Sequence, residues 1–257
     1  MTRNVTPSPP PASPAPVQSI DRREAIRFGL LGTAGFLLAG CQSGWKPLDR
    51  ELGLLARPIP SFGHGDRSSA SAALASDPTL TQLPPSVIPR RTWTTADTIA
   101  ARANPMVRVR RITVHHDGMP PVPLRSRQDV MRRLEIIRRS HVNARGWADI
   151  GYHFVVDPLG NVWEARPLIY QGAHVKDQNQ RNMGIMLLGN FDEQSPTRRA
   201  LAALDTFLIA QMTRFAVPVA EVVTHQELAA TACPGRSLQR HMVQTRSFSG
   251  VLTAAHA

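Results

Sequence analysis

The sequence predicts an α/β fold: a single domain with a central mixed β-sheet flanked by helices, preceded by a signal peptide and a disordered tether. Three observations predict it. From Val87 onward, segments with two-residue apolar alternation interleave with segments of helical apolar spacing. The run Gly184-Ile-Met-Leu-Leu-Gly189 is continuously apolar, as expected of a central strand covered on both faces. No glycine-rich phosphate loop and no internal repeat interrupts the alternation.

The N-terminal third has another character. Residues 1–20 and 57–86 are rich in Pro, Ser, Thr and Ala and lack the apolar periodicity that offsets chain entropy. Between them, Arg22-Arg23 precedes a short apolar stretch from Phe28 to Gly40, too short to span a bilayer comfortably but suited to a signal-peptide core. Leu38-Ala-Gly-Cys41 resembles a bacterial lipobox, which implies cleavage before Cys41 and lipidation of its thiol. The paired arginines resemble a twin-arginine signal, although Asp21 and Ala25 depart from its usual flanks, so the Tat or Sec route stays open. The alternative is an uncleaved anchor; either reading places the domain outside the cytoplasm on a membrane. The expected organisation is an export signal over 1–40, a tether over 41–86, the folded domain over 87–246 and a C-terminal tail over 247–257. The stretch 87–246 is long enough for one full core, expected as a monomer.

The elements follow in order. Val87-Ile-Pro-Arg-Arg-Thr-Trp93 begins the ordered part, with Trp93 as a core anchor. Residues 107–114 alternate as a strand. Ser126 and Asp129 form a capping-box pattern for a helix to Asn143, with Val130, Leu134, Ile137 and His141 at helical spacing and Arg145-Gly146 ending it. Residues 152–156 and 162–165 read as a hairpin around the turn Asp157-Pro-Leu-Gly-Asn161. Ser195 as N-cap and Pro196 in the first turn start a helix carrying Leu201, Leu204, Leu208, Met212 and Phe215 on one face. Val222-Val223 is a last strand, and Ser237 to Thr245 a last helix.

The formal net charge of +11 raises nucleic acid as a partner. Aromatics are only 5% of residues and no basic stripe interleaves with them, so no nucleic-acid partner is expected. Arg127, Arg132, Arg133, Arg138 and Arg139 lie on the polar side of the first long helix, a solvated face or a surface that attracts an anionic polymer. The two cysteines have separate jobs, and no disulfide is expected between them.

The chemistry concentrates at His115, His225 and Cys233. His115 follows the run Val107 to Val114, His225 follows Glu221 to Thr224, and Cys233 stands in Thr231-Ala-Cys-Pro-Gly235. A ligand at a strand end is held by rigid backbone yet opens into a loop. Two histidines and a cysteine supply three zinc ligands and leave the fourth tetrahedral position for water, as a catalytic site requires.

These segments together resemble the superfamily of peptidoglycan recognition proteins and type-2 N-acetylmuramoyl-L-alanine amidases. The residues that carry it are Val114-His-His116, Gly146-Trp-Ala-Asp-Ile-Gly-Tyr-His-Phe154, Gly172-Ala-His174, Gly184-Ile-Met-Leu-Leu-Gly-Asn-Phe191, and Thr224-His-Gln226 with Thr231-Ala-Cys-Pro-Gly235. The resemblance spans about Val87 to Gln244 and implies that superfamily's fold. It implies a Zn2+-dependent hydrolase that cuts between the lactyl group of N-acetylmuramic acid and L-alanine of the stem peptide, with peptidoglycan or a muropeptide as substrate. It places His115, His225 and Cys233 on the metal ligands and Tyr152 on the active-site tyrosine. Thr231 falls where phage members carry lysine and animal catalytic members often carry threonine, so it is the candidate second oxyanion stabiliser. A cysteine as third ligand, and no carboxylate in Gly184 to Leu188, make the chain more similar to the phage and animal-type enzymes than to the cytoplasmic ones.

Four further residues are substrate-binding candidates: His116, Trp147, His174 and Arg181. His116 faces away from the metal if strand geometry persists to it, leaving packing or groove lining against direct catalysis. Trp147 is groove wall or core, His174 a loop contact near the metal, and Arg181 a candidate for discriminating stem peptides. His153 and His141 read as structural. The rival function is a peptidoglycan-binding module that does not cut; loss of a ligand would mark it, and all three are present. A zinc protease is disfavoured because no His-Glu-x-x-His pattern occurs.

Overall fold

The computed structural model describes residues 77–255. The export signal, Cys41 and the tether up to residue 76 lie outside the described residues. Six strands form one sheet: β1 (Val87–Ile88), β2 (Arg111–His116), β3 (Phe154–Val156), β4 (Val162–Glu164), β5 (Asn182–Leu187) and β6 (Val222–Thr224). Their order is β1-β4-β3-β5-β2-β6. The β3–β4 hairpin is antiparallel and every other pairing parallel. The sheet is therefore mixed, as the alternating sequence pattern requires.

Helices cover both faces: α1 (Pro78–Thr81), α2 (Arg127–Arg145), α3 (Arg198–Phe215), α4 (His225–Leu228), α5 (Arg236–Thr245) and α6 (Val251–Ala254). Against one face pack Leu204, Phe207, Leu208 and Met212 of α3, with Leu238 and Met242 of α5 and Leu252 of α6, onto Ile112, Val114, Phe154, Ile185 and Leu187. Against the other pack Val130, Leu134 and Ile137 of α2, onto Val155, Trp163 and Met186, with Trp93 and Ile150 alongside. None of the described helices is long and apolar enough to cross a membrane.

Local chemistry explains where the elements start and stop. Ser126 accepts from Asp129 N while the Asp129 carboxylate accepts from Ser126 N, so both ends of the capping box are made. Gly146 ends α2 in the left-handed region at φ 68°, where a glycine carries no Cβ penalty, and its N–H donates to His141 O. Asp157 closes the hairpin turn by accepting from Leu159 N, Asn161 N and the Trp163 indole.

The structure departs from the sequence expectations in several places. The strand expected over 107–114 runs from 111 to 116, because Arg110 N and Arg111 N both donate to Arg181 O before the regular ladder begins. Both histidines thus lie inside β2. The helix expected to start at Ser195 is capped instead by Thr197, whose Oγ1 accepts from Ala200 N. Arg133 is not on a solvated face: it is buried and its Nε pairs with Asp117 Oδ2 at 2.8 Å. Folded structure also begins within the stretch read as tether. Asp77 caps α1, and Leu80 reaches the core. Past residue 246, α6 likewise buries Leu252.

Candidate metal centre and adjoining groove

Register places the first candidate ligand. His115 pairs with Met186, and Val155 also pairs with Met186. Both partners belong to the α2-side core, so His115 projects from the α2 face. His116 pairs with Leu187, which belongs to the α3-side core, and projects oppositely. There its Nδ1 accepts from Phe191 N at 3.3 Å, and its ring lies 6.1 Å from that of Phe191.

His225 follows β6, the strand paired to β2 on its other side, and opens α4. Cys233 arrives on the next loop. Its carbonyl accepts from Gln226 N, its N–H donates to Thr231 Oγ1 at 3.2 Å, and its Sγ accepts from His116 N at 3.4 Å. The ligand atoms of His115, His225 and Cys233 all lie within 4.8 Å of one another, and all three residues are buried.

The donor set fits a metal ion. His115 Nδ1 faces Cys233 Sγ at 3.6 Å. His225 Nδ1 is buried without a hydrogen-bond partner in the protein. Leaving such an atom unpaired costs roughly 1–3 kcal/mol, which coordination offsets. Two imidazoles and a cysteine sulfur are a donor set that would suit zinc, His115, His225 and Cys233 being the residues that would hold it.

Tyr152 lies beside the trio, its ring 5.0 Å from that of His115 and tilted 59° to it. A cavity of about 510 Å³ opens there, lined by His141, Arg145, Trp147, Tyr152, His174, Lys176, Asn179 and His225 among others. Trp147 is a groove wall, braced by His141 at 4.7 Å between rings and by the Arg145 guanidinium 5.0 Å from its own. His174 lines the groove too, but both ring nitrogens are engaged, one with His115 Nε2 at 3.0 Å and one with Asn182 O at 3.1 Å.

Arg181 does not line this groove. It stands at the N-terminal end of β5 with φ 57° and borders a separate cavity with Arg110, Arg111 and Glu221. Nor is His116 a groove residue, because strand alternation turns it to the other face. Sequence reasoning missed the polar groove residues Arg145, Lys176, Asp177 and Asn179, and His141, read as structural, lines the groove as well. Arg145 stands four residues after His141 on α2, so the i,i+4 spacing beside Gly146-Trp147 was the available signal.

Two histidines behind the groove are held neutral. Burial pushes His174 well below the ordinary histidine value, and its neighbour His115 adds to that. Burial likewise pushes His153 down to about 3; its Nε2 meets Tyr170 O and its Nδ1 accepts from Gly184 N. Below pH 6.5 an unfolded chain binds a proton at residue 153 that the folded chain refuses. Stability from this group therefore falls as pH drops from 6.5 toward 3, by about 1.4 kcal/mol per pH unit. Urea unfolding at pH 7 and pH 5 should show about 2 kcal/mol more loss in the wild type than in His153→Gln. Equal losses in the two proteins would remove this group from the acid sensitivity.

Comparison with known proteins agrees with this geometry. The family model described as N-acetylmuramoyl-L-alanine amidase matches residues 105–236, a span that contains all three candidate ligands. An N-acetylmuramoyl-L-alanine amidase of Sus scrofa is 31% identical over 60% of this chain and 26% of its own length. A peptidoglycan-recognition protein of Drosophila simulans is 34% identical over 59% of this chain and 82% of its own. Among solved structures, peptidoglycan recognition protein-LE in complex with tracheal cytotoxin, a monomeric diaminopimelic acid-type peptidoglycan, aligns with a TM-score of 0.56. It is 25% identical, over 62% of this chain and 93% of that one. This chain spans about a quarter of the length of the mammalian relative and most of the insect one. With residues 105–236 matched, from just before β2 to the start of α5, the chain belongs to the N-acetylmuramoyl-L-alanine amidase family, Amidase_2.

Proposed function

We propose that the protein hydrolyses the amide between the lactyl group of N-acetylmuramic acid and L-alanine of the peptidoglycan stem peptide, using zinc held by His115, His225 and Cys233. One observation carries this reading: a buried two-histidine, one-cysteine donor set stands beside Tyr152 at the wall of an open groove. Family membership and the relatives' names support it. Water adds to the lactyl carbonyl, the C–N bond breaks, and the products are a lactyl carboxylate and a free L-alanine amine.

Bound zinc supplies a Lewis acid for the carbonyl and acidifies a water molecule. The chain's own residues do the rest. The Tyr152 hydroxyl donates to the oxyanion that develops on the carbonyl oxygen. Thr231 Oγ1 already accepts from Cys233 N, which leaves its hydroxyl hydrogen to donate as a second stabiliser. Arg145 and Lys176, set against the one carboxylate of Asp177, leave the groove lining with a net positive charge suited to the carboxylates of a muropeptide, and Trp147 offers a flat apolar wall. The resemblance of Leu38-Ala-Gly-Cys41 to a lipobox is what supports export and membrane anchoring of this activity at the cell envelope.

Release of dyed fragments from stained sacculi tests the metal dependence. A chelator should abolish release by the protein, and one equivalent of zinc should restore it. Release that persists after complete metal removal would overturn the reading.

A further inference from the structure

The sequence marks Gly172-Ala-His174 and Gly184, and groove chemistry alone gives neither a reason. Geometry gives one to both. His174 lies over β5, on the α2 face of the sheet. A Cβ on Gly184 would stand 2.5 Å from the His174 ring, and one on Gly172 would also strike it. Two glycines therefore hollow out the seat of one imidazole. Its main-chain N–H is tied to Asn179 Oδ1 at 2.8 Å. Asn182, whose carbonyl meets the ring, is itself fixed by Thr113 Oγ1 and by Gln178 O.

The hydrogen-bond roles follow from one asymmetry. A backbone carbonyl only accepts. His174 Nε2, 3.1 Å from Asn182 O, must therefore carry the proton. In a neutral ring the other nitrogen, Nδ1, is then an unprotonated acceptor. His115 Nε2, 3.0 Å from it, must be N–H and donate. That leaves His115 Nδ1 unprotonated, and this is the atom facing Cys233 Sγ. The proton position is set outward from Asn182 O, through two imidazoles, to the ligand atom.

We propose that His174 is a positioning residue: relayed from the Asn182 carbonyl, it locks His115 in the Nε2–H tautomer and so presents the Nδ1 lone pair to the metal before the metal arrives. A ligating histidine generally donates its second N–H to a carbonyl, carboxylate or water. Here another histidine takes that place, in a pocket that two glycines make possible. The effect on metal affinity rests on the zinc reading above; the tautomer does not.

The experiment separates the two. Metal-stripped full-length protein, labelled with 15N at histidine, is measured by long-range 1H–15N correlation at pH 8, with His115→Gln to assign the signal. The expected result is His115 as the pure Nε2–H form. His174→Phe fills the seat but cannot accept, so His115 should become a tautomer mixture and zinc affinity, read by chelator competition, should fall about 10–100-fold. His174→Asn places an oxygen acceptor near the lost Nδ1 and should recover the tautomer and most of the affinity. A residue that only filled space would show the reverse order, Phe above Asn. Gly184→Ala, which displaces the ring, should resemble His174→Phe. An Nδ1–H signal for His115 in the wild type, or unchanged tautomer and affinity in His174→Phe, overturns the proposal. An Nε2–H signal in a wild type that binds no zinc would instead sink the zinc reading and leave the relay standing.

Discussion

Replacing Cys233 by serine is expected to lower zinc affinity by about 100-fold or more and to remove amidase activity at equimolar zinc, with the fold retained. The magnitude follows from sharing: a four-ligand site is worth about 10–16 kcal/mol, so one ligand carries roughly a quarter. Serine nearly matches the size of cysteine, and Cys233 is 1% exposed, so the loop should still close. What is lost is the anion. Zinc enforces thiolate on a cysteine, whereas a serine hydroxyl keeps its proton. The two imidazoles remain, so weak binding should survive and excess zinc should restore part of the activity. Chelator competition with circular dichroism checks both halves. Native-like affinity in a folded Cys233→Ser protein would remove Cys233 from the metal centre.

Tyr152→Phe should separate from that variant in one respect. Its expected effect is a fall in kcat of about 100–1,000-fold with zinc affinity unchanged, because the substitution removes a donor used mainly when the oxyanion forms. The ring itself packs against His115 and His174 and is retained in phenylalanine. If zinc affinity fell together with kcat, the hydroxyl would instead be supporting the metal ligands. Steady-state kinetics on a soluble muramoyl peptide, beside a zinc titration, tells these apart.

Much of the candidate site was legible because it is written in short-range patterns. Alternation within β2 put His115 and His116 on opposite faces, and the structure does so. The unbroken apolar run of β5 read as a central strand, and β5 lies between β3 and β2. Capping chemistry at Ser126 and the turn at Asp157 were equally local. The misses share a cause: each depends on contacts distant in sequence. His174 and His115 are 59 positions apart, so nothing local announces that one ring's proton sets the other's. Arg181, the candidate for discriminating stem peptides, is held at the N-terminal end of β5 by its positive φ and by its carbonyl's bonds to Arg110 and Arg111, away from this groove. The segment around Leu80 looked like tether because proline and small residues dominate it, yet Arg214 of α3 holds the Pro78, Thr79 and Gln82 carbonyls and pins it down. Compositional reading finds segments that cannot build a core; it does not find segments that borrow one.

The most direct test of the central claim is mass spectrometry of the products from purified peptidoglycan incubated with the zinc-loaded protein. Hydrolysis at the proposed bond yields stem peptides with a free L-alanine amine and glycan strands whose lactyl groups end in carboxylates. Peptidoglycan that is bound but recovered intact, or cut at a different bond, would contradict the assignment of His115, His225, Cys233 and Tyr152 to muramoyl-amide cleavage.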